Sequence, residues 1–224
     1  MLVSAYEVDP AAGGEAGFGW HTGRLLAERG LEVHVVTHER SRVAIGRVGA
    51  LPAGLNFHFV SPGQPMVGLR SGQRGVYANY LLWQRACLER ARELHDQRTI
   101  DVIHHVSWAS LFWGSPLWRV GVPFVFGPGG GAQTSPKILA PQFGTAWRRE
   151  RLRNSALRFG LWLNPLARRT ITHAAAFLAT NRETFAAVTR FGARHTELLL
   201  DVALPASSIL ETEREFPGTD APIV

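Results

Sequence analysis

The 224-residue chain has a single cysteine, Cys87, so no disulfide can form within it, and a small secreted fold stapled by disulfides is excluded. A reducing, cytoplasmic setting fits. Cys87 itself reads as a small buried residue on a helix. The opening residues, MLVSAYEVDP, have no basic leader and too short an apolar stretch for a secretory signal. No run of about twenty uncharged apolar residues occurs, so no segment reads as a membrane span. Acid is scarce in one region above all. Between Pro141 and Ala175 a single acid, Glu150, faces seven arginines: Arg148, Arg149, Arg151, Arg153, Arg158, Arg168 and Arg169. That segment sums to +6, the net charge of the whole chain, so the remainder balances to zero. Charge concentrated in this way predicts a local anionic partner, not a generally basic protein. Internal repeats and low-complexity tracts are also lacking.

What is present is an ordinary globular composition, 46% apolar and 19% charged, in a chain long enough for one large α/β domain. Short apolar runs predict strands over Leu2–Tyr6, Leu31–Thr37, Leu55–Val60, Ile100–Val106, Val122–Phe126, Ala174–Ala179 and Thr196–Val202. Helical patterns alternate with them. One ends at Leu25–Ala27 before Gly30. The longest covers Gln73–Gln97, with Tyr77, Leu81, Leu88, Ala91 and Leu94 on one face. A third covers Thr145–Leu163, with Asn164-Pro165 as a break. A fourth starts at Thr180, with Glu183 completing a capping box. Ser41–Gly54 reads as irregular. The alternation predicts an open, mostly parallel sheet with helices on both faces. Residues 1–205 form that domain, and 206–224 read as a linker.

The first strand runs into a glycine-rich loop, Asp9 to Gly19, containing Gly13, Gly14, Gly17 and Gly19. In an open α/β sheet, ligands bind beyond the carboxyl ends of the strands. Glycines there let backbone amides approach a phosphate or a sugar, and a helix N-terminus favours negative charge. A flexible turn would also use glycine. A dinucleotide fingerprint is not met, because Gly17 and Gly19 would need a third glycine where Thr22 stands. Glu39 does end the second strand, where an acid would bind a ribose, so a nucleotide-cofactor oxidoreductase stays as a distant alternative.

His104 and His105 end a central strand. Adjacent strand residues face opposite sides, so at most one of the pair faces a given cleft. The spacing is poor for chelating one ion, and no metal site is expected. A second glycine cluster, Gly127–Gly131, follows the next strand. Gln133 and Thr134 then supply neutral groups suited to a polyol or a phosphate ester.

Three segments together resemble a known family: GGEAGFGW (13–20), DVIHHVSWAS (101–110) and GPGGGAQTSP (127–136). They are similar to the N-terminal, Rossmann-like domain of retaining GT-B glycosyltransferases of family four. The likeness is to a bacterial branch with G-S/G-E-x-G-x-G-W and GPVGGGQTAP loops. Gly129 stands where that branch has valine, and Ala132 where it has glycine. An H-x-H pattern would place its second histidine at Val106.

The resemblance implies an acceptor-side domain, completed by a C-terminal domain that holds the nucleotide sugar, without cofactor or metal. It puts Gly13, Gly14 and Glu15 at the donor diphosphate and His104 or His105 near the transferred sugar. Gly17, Trp20, Trp108, Gly130, Gly131, Gln133 and Thr134 would line the acceptor side. The acceptor is expected to be a sugar, a lipid or a small molecule, and the fragment alone is expected to be inactive. Glu7 and Glu15 have the E-x7-E spacing of the family's donor-side glutamates, but they lie on the first strand and its loop. A non-catalytic module for a glycan or lipid head group is the alternative. The basic stretch 147–169 interleaves arginine with Trp147, Leu152, Leu157, Phe159, Leu161 and Trp162. It could rest on an anionic membrane surface, at the inner face of the membrane, bind a phosphorylated acceptor, or form a solvated face. Nucleic acid is not expected, since no binding motif accompanies the charge.

Overall fold

The computed structural model describes residues 1–62 and 73–200. Among them, seven strands form one sheet: β1 Leu2–Ser4, β2 Val33–His38, β3 Leu55–Val60, β4 Ile103–His105, β5 Phe124–Gly129, β6 Ala176–Ala179 and β7 Thr196–Leu198. The order is β3-β2-β1-β4-β5-β6-β7, and every pairing is parallel. The expected open Rossmann-like architecture is therefore present. The chain winds outward from β1 to β3, returns through helix α3, Gln73–Gln97, and then winds the other way from β4. The winding direction reverses between β1 and β4. Loops leaving those two strands diverge, which opens a crevice at their carboxyl ends.

Two apolar layers sandwich the sheet. On one face Leu2, Ile103, Phe124, Phe126 and Phe177 pack against Trp83, Cys87 and Ala91 of α3. Ile171 of α6, Pro165–His173, and Val188 of α7, Arg182–Arg190, belong to the same layer. On the other face Val3, Val33 and Val35 meet Trp20 and Ala27 of α1, Gly14–Glu28. The valine-rich β2 is buried at all six positions, as a strand covered on both faces should be.

Several boundaries differ from those the sequence predicts. Helix α1 starts at Gly14, so most of the presumed glycine loop is its first two turns. Glycine is a poor helix former, but close packing overrides propensity here. Ser41–Gly54 is not wholly irregular: a 3-10 turn, Glu39–Ser41, leads into the short α2, Arg42–Gly46. The basic stretch divides at Asn164-Pro165, as the sequence predicts. After a short α4, Ala140–Phe143, helix α5 spans Trp147–Leu163, and Asn164 then caps α6 by accepting from the amides of Leu166 and Ala167. Helix α7 is capped by Asn181, not Thr180: the Asn181 side chain accepts from the Thr184 amide. Cys87 is buried on α3, as expected, and burial pushes its thiol up to about 12. The expected linker, 206–224, and the last residues of the final predicted strand, 201–202, lie outside the described residues.

Candidate functional site

A cleft of about 510 Å³ opens at the point where the winding reverses. Glu15 from the start of α1, Trp108 and Ser110 after β4, and Gly130 and Gly131 after β5 meet there, with Tyr77 and Trp113. The three segments singled out in the sequence thus converge on one rim of one sheet. The walls are aromatic. Tyr77 stacks on Trp113 with ring centroids 4.8 Å apart, and its edge meets Trp108 at 6.0 Å. Flat apolar faces with a few backbone polar groups suit a small ring-shaped polar ligand.

Hydrogen bonds between loops fix the rim. The Glu15 carboxylate accepts from the Trp108 amide at 2.7 Å, tying α1 to the loop after β4. That loop is in turn joined to the next: Leu111 N–H donates to the Gly130 carbonyl at 2.9 Å, and Gly130 N–H donates to the Ala109 carbonyl at 3.3 Å. Trp108 has φ 54°, the left-handed region that a bulky residue rarely enters. Both of its backbone groups are held, the amide by Glu15 and the carbonyl by the Tyr80 hydroxyl at 3.2 Å.

Beneath Trp108 runs a buried polar chain. Since Tyr80 donates to the Trp108 carbonyl, its oxygen accepts from His105 Nε2 at 2.9 Å. His105 Nδ1 then accepts from the Ser4 hydroxyl at 3.0 Å, and Ser4 accepts from the Cys87 thiol at 3.3 Å. The chain is satisfied end to end, which stiffens what it supports. His105 is 0% exposed. Burial, and then the neighbouring His104, push its pKa down to about 3. A ring bonded at both nitrogens and closed off from solvent is a post under the rim.

His104 points to the α1 face, in register with Val3. Its Nε2–H donates to the Gly127 carbonyl at 2.7 Å, and burial lowers its pKa. The neutral ring therefore has Nδ1 as an acceptor. Neither histidine lines the cleft.

The other expected residues divide. Gly13 and Gly14 are exposed at the start of α1, and an added Cβ on either meets nothing within 4 Å. Gly17 is buried: its Cβ would lie 2.2 Å from the Ala12 carbonyl oxygen. Trp20 is 7% exposed and stacks on Phe57 in the core. Gly17 and Trp20 thus pack α1 in place. Gln133 folds back, its amide oxygen accepting from the Gly131 amide at 2.9 Å. Thr134 lines a different cavity, beside α5. The glycines spaced as in a dinucleotide fingerprint are helical, not in a strand-to-helix turn. Tyr77 and Trp113 were not foreseen here. Tyr77 lies on the predicted core stripe of α3 but is 37% exposed. The one available signal was the density of tryptophan after β4, at Trp108, Trp113 and Trp118.

No described helix is long and apolar enough to cross a membrane. Among the described residues, no group of three or more His, Cys, Asp or Glu side chains could hold a metal ion.

The fold and the rim can be set beside known proteins. No curated protein matches the chain. The solved sucrose-phosphate synthase of Thermosynechococcus elongatus is 14% identical, with a TM-score of 0.50 over 89% of this chain and 47% of that one. A UDP-glucose: anthocyanidin 3-O-glucosyltransferase solved in complex with UDP is 12% identical, with a TM-score of 0.49 over 96% of this chain and 55% of that one. At such identities the first likeness is one of fold. The chain spans about half the length of these structures. A family model for the glycosyl transferase 4-like domain matches residues 13–200, which takes in all three rim segments up to Pro136 and the basic helix, and the chain therefore belongs to that glycosyltransferase family.

Proposed function

We propose that this chain is the acceptor-side half of a retaining glycosyltransferase, with the nucleotide-sugar donor held mainly by a second domain. The observation that carries the reading is the aromatic cleft at the point of reversed winding, in a chain of this family. The acceptor sugar, glycan or lipid-linked sugar lies against Tyr77, Trp108 and Trp113, which exclude water and offer flat apolar faces. The open amides of Gly13 and Gly14, at the N-terminus of the 15-residue α1, face the donor diphosphate, where a helix end favours negative charge. His104, partly buried on the α1 face outside the aromatic cleft, offers Nδ1 to a hydroxyl of the transferred sugar on the donor side, its tautomer set by Gly127. No cofactor or metal takes part. The groups that neutralise the leaving diphosphate belong to the partner domain, so residues 1–224 alone bind acceptor without transferring sugar.

Intrinsic tryptophan fluorescence of the purified chain, titrated with a panel of mono- and disaccharides, tests this. Saturable quenching by at least one sugar is expected, abolished in W113A/Y77A. If no sugar perturbs the spectrum while a nicotinamide cofactor does, the oxidoreductase reading replaces this one. Turnover of any sugar nucleotide by the chain alone would overturn the predicted inactivity.

The same reading includes a stand at the inner face of an anionic membrane. Leu152, Trp162 and Leu163 of α5 are 71%, 66% and 82% exposed beside its arginines, which supports this. Equal pelleting with neutral and anionic vesicles would rule it out.

A further inference from the structure

A second cavity, about 440 Å³, lies between the segment after the second glycine cluster and helix α5. Trp147, Arg151, Asn154 and Ser155 line it from the helix. Their spacing of four, seven and eight residues puts them on one face. Opposite stand Thr134 and Lys137, the chain's only lysine. The cavity wall is clamped shut at one corner. The Ser135 hydroxyl donates to Glu150 at 2.5 Å, and Arg153 grips the same carboxylate through Nε at 2.9 Å and Nη2 at 2.5 Å.

That clamp decides the charge of the cavity. Glu150 is the only acid between Pro141 and Ala175. Arg153, then Ser135, hold its carboxyl down at about 2, so it is permanently ionised and already satisfied. Arg151 and Lys137 have no acidic partner among the described residues. The cavity is therefore rich in donors and two positive charges in excess. A planar guanidinium fork and a point-charge ammonium, flanked by hydroxyls and an amide, match the oxygens of a phosphate group.

We propose that this cavity is a phosphate subsite, and that it binds the phosphate of a phosphorylated acceptor whose sugar occupies the aromatic cleft. The inference rests on the acceptor reading of that cleft. One loop runs from one cavity to the other: Gly131 borders the first and Thr134 the second. Three residues of chain span at most about 10 Å, so sugar and phosphate are close neighbours in the acceptor. A soluble sugar phosphate and the head group of a lipid phosphate both satisfy this chemistry.

The test uses the whole chain and two charge-matched variants, K137Q/R151Q in the cavity and R148Q/R149Q on the same helix outside it. Inorganic phosphate and glucose 6-phosphate are titrated by calorimetry. Vesicles of phosphatidylcholine with or without phosphatidic acid are co-sedimented in parallel. Saturable phosphate binding is expected in the wild type. It should weaken roughly tenfold or more in K137Q/R151Q and little in R148Q/R149Q. If glucose 6-phosphate shows this pattern, the source is soluble; if phosphatidic acid vesicles alone show it, the source is a lipid. Absence of saturable binding in both arms, or equal loss in both variants, overturns the subsite. Retained sugar quenching with no phosphate binding leaves the cleft reading standing and removes only this one. Phosphate binding without any sugar quenching does the reverse.

Discussion

The two glycine clusters look alike in the sequence and do different work in the structure. In the first, Gly17 and Gly19 face occupied space, as does Gly23 one turn further along α1. A Cβ on Gly19 would lie 3.0 Å from both the Glu7 carbonyl and Ala5, and one on Gly23 would lie 3.0 Å from Val35. These glycines let α1 lie close on β1 and β2. Only Gly13 and Gly14, at the very start, look into open space. In the second cluster the order is reversed. Gly127 and Gly129 are packed, with Cβ positions 2.3 Å from the Leu178 carbonyl and 2.8 Å from the Ala109 carbonyl. Gly130 and Gly131, at the end, border the cleft. Glycine density therefore reports close backbone approach. Whether the approaching group is a neighbouring element or a ligand depends on which glycines lie past the ends of the strands.

The sharpest way to break this contrast is Gly17→Ala. The obstructing atom is the Ala12 carbonyl oxygen, which is backbone and not a movable side-chain tip. Relieving a 2.2 Å approach requires α1 to shift against the loop that precedes it. A loss of about 2–3 kcal/mol is expected in urea unfolding. A stability equal to wild type would mean that the first cluster is as open as a ligand loop, and the contrast would fail.

A difference in packing also separates the partly buried His104 from the fully buried His105, and acid sharpens it. Folded His105 has its pKa near 3, against an ordinary value of 6.5 in the unfolded chain. Below about pH 6.5 the unfolded chain takes up a proton that the fold refuses, so stability is lost as pH falls from there toward 3. Between pH 7 and pH 5 His105 alone accounts for a loss of about 2 kcal/mol. Half-buried His58, lowered to about 4 by burial and then by Arg90, acts in the same direction, as does His34. Urea midpoints at the two pH values measure the sum. The H105Q variant should start less stable at pH 7 and show a shallower fall. A fall of the same size in H105Q would mean that His105 is not the packed member of the pair.

How much of this was legible beforehand follows from which forces act locally. Valine runs such as VHVVT announce buried strands, and α3 was legible to its ends because 25 residues of helical pattern outweigh any one misfit. The convergence of the three loops followed from parallel βα order alone. The role of each residue did not. A pair of adjacent histidines shows that one faces each side, but not which side is closed by Tyr80 and Ser4, 25 and 101 residues away. The burial of Gly17 and Trp20 is hidden from the sequence for the same reason: what presses on them is a tertiary neighbour. The clamp of Ser135 on Glu150 joins two segments that were read separately, and only that contact reveals that Thr134 belongs with the basic helix instead of the cleft.

The smallest expected change in stability carries the most about function. In Gly130→Ala the added methyl meets the Thr180 hydroxyl at 3.1 Å and the tip of the Gln133 side chain at 3.6 Å. Both belong to side chains that can yield by a few tenths of an ångström, and Gly130 does not have the positive φ of its neighbour Gly131. Unfolding free energy should therefore stay within about 0.5 kcal/mol of wild type. Gly130 nonetheless borders the cleft beside Trp108 and Gly131, and the methyl meets the Gln133 side chain that holds the Gly131 amide at the cleft wall. Affinity for the sugar that quenches the wild type should fall roughly tenfold, the usual effect of one misplaced methyl group in a fitted pocket. Stability and binding must separate in this variant, just as they should fall together in Gly17→Ala. If Gly130→Ala unfolds the domain, the second cluster is packing from end to end, and the cleft loses its claim to be a binding wall.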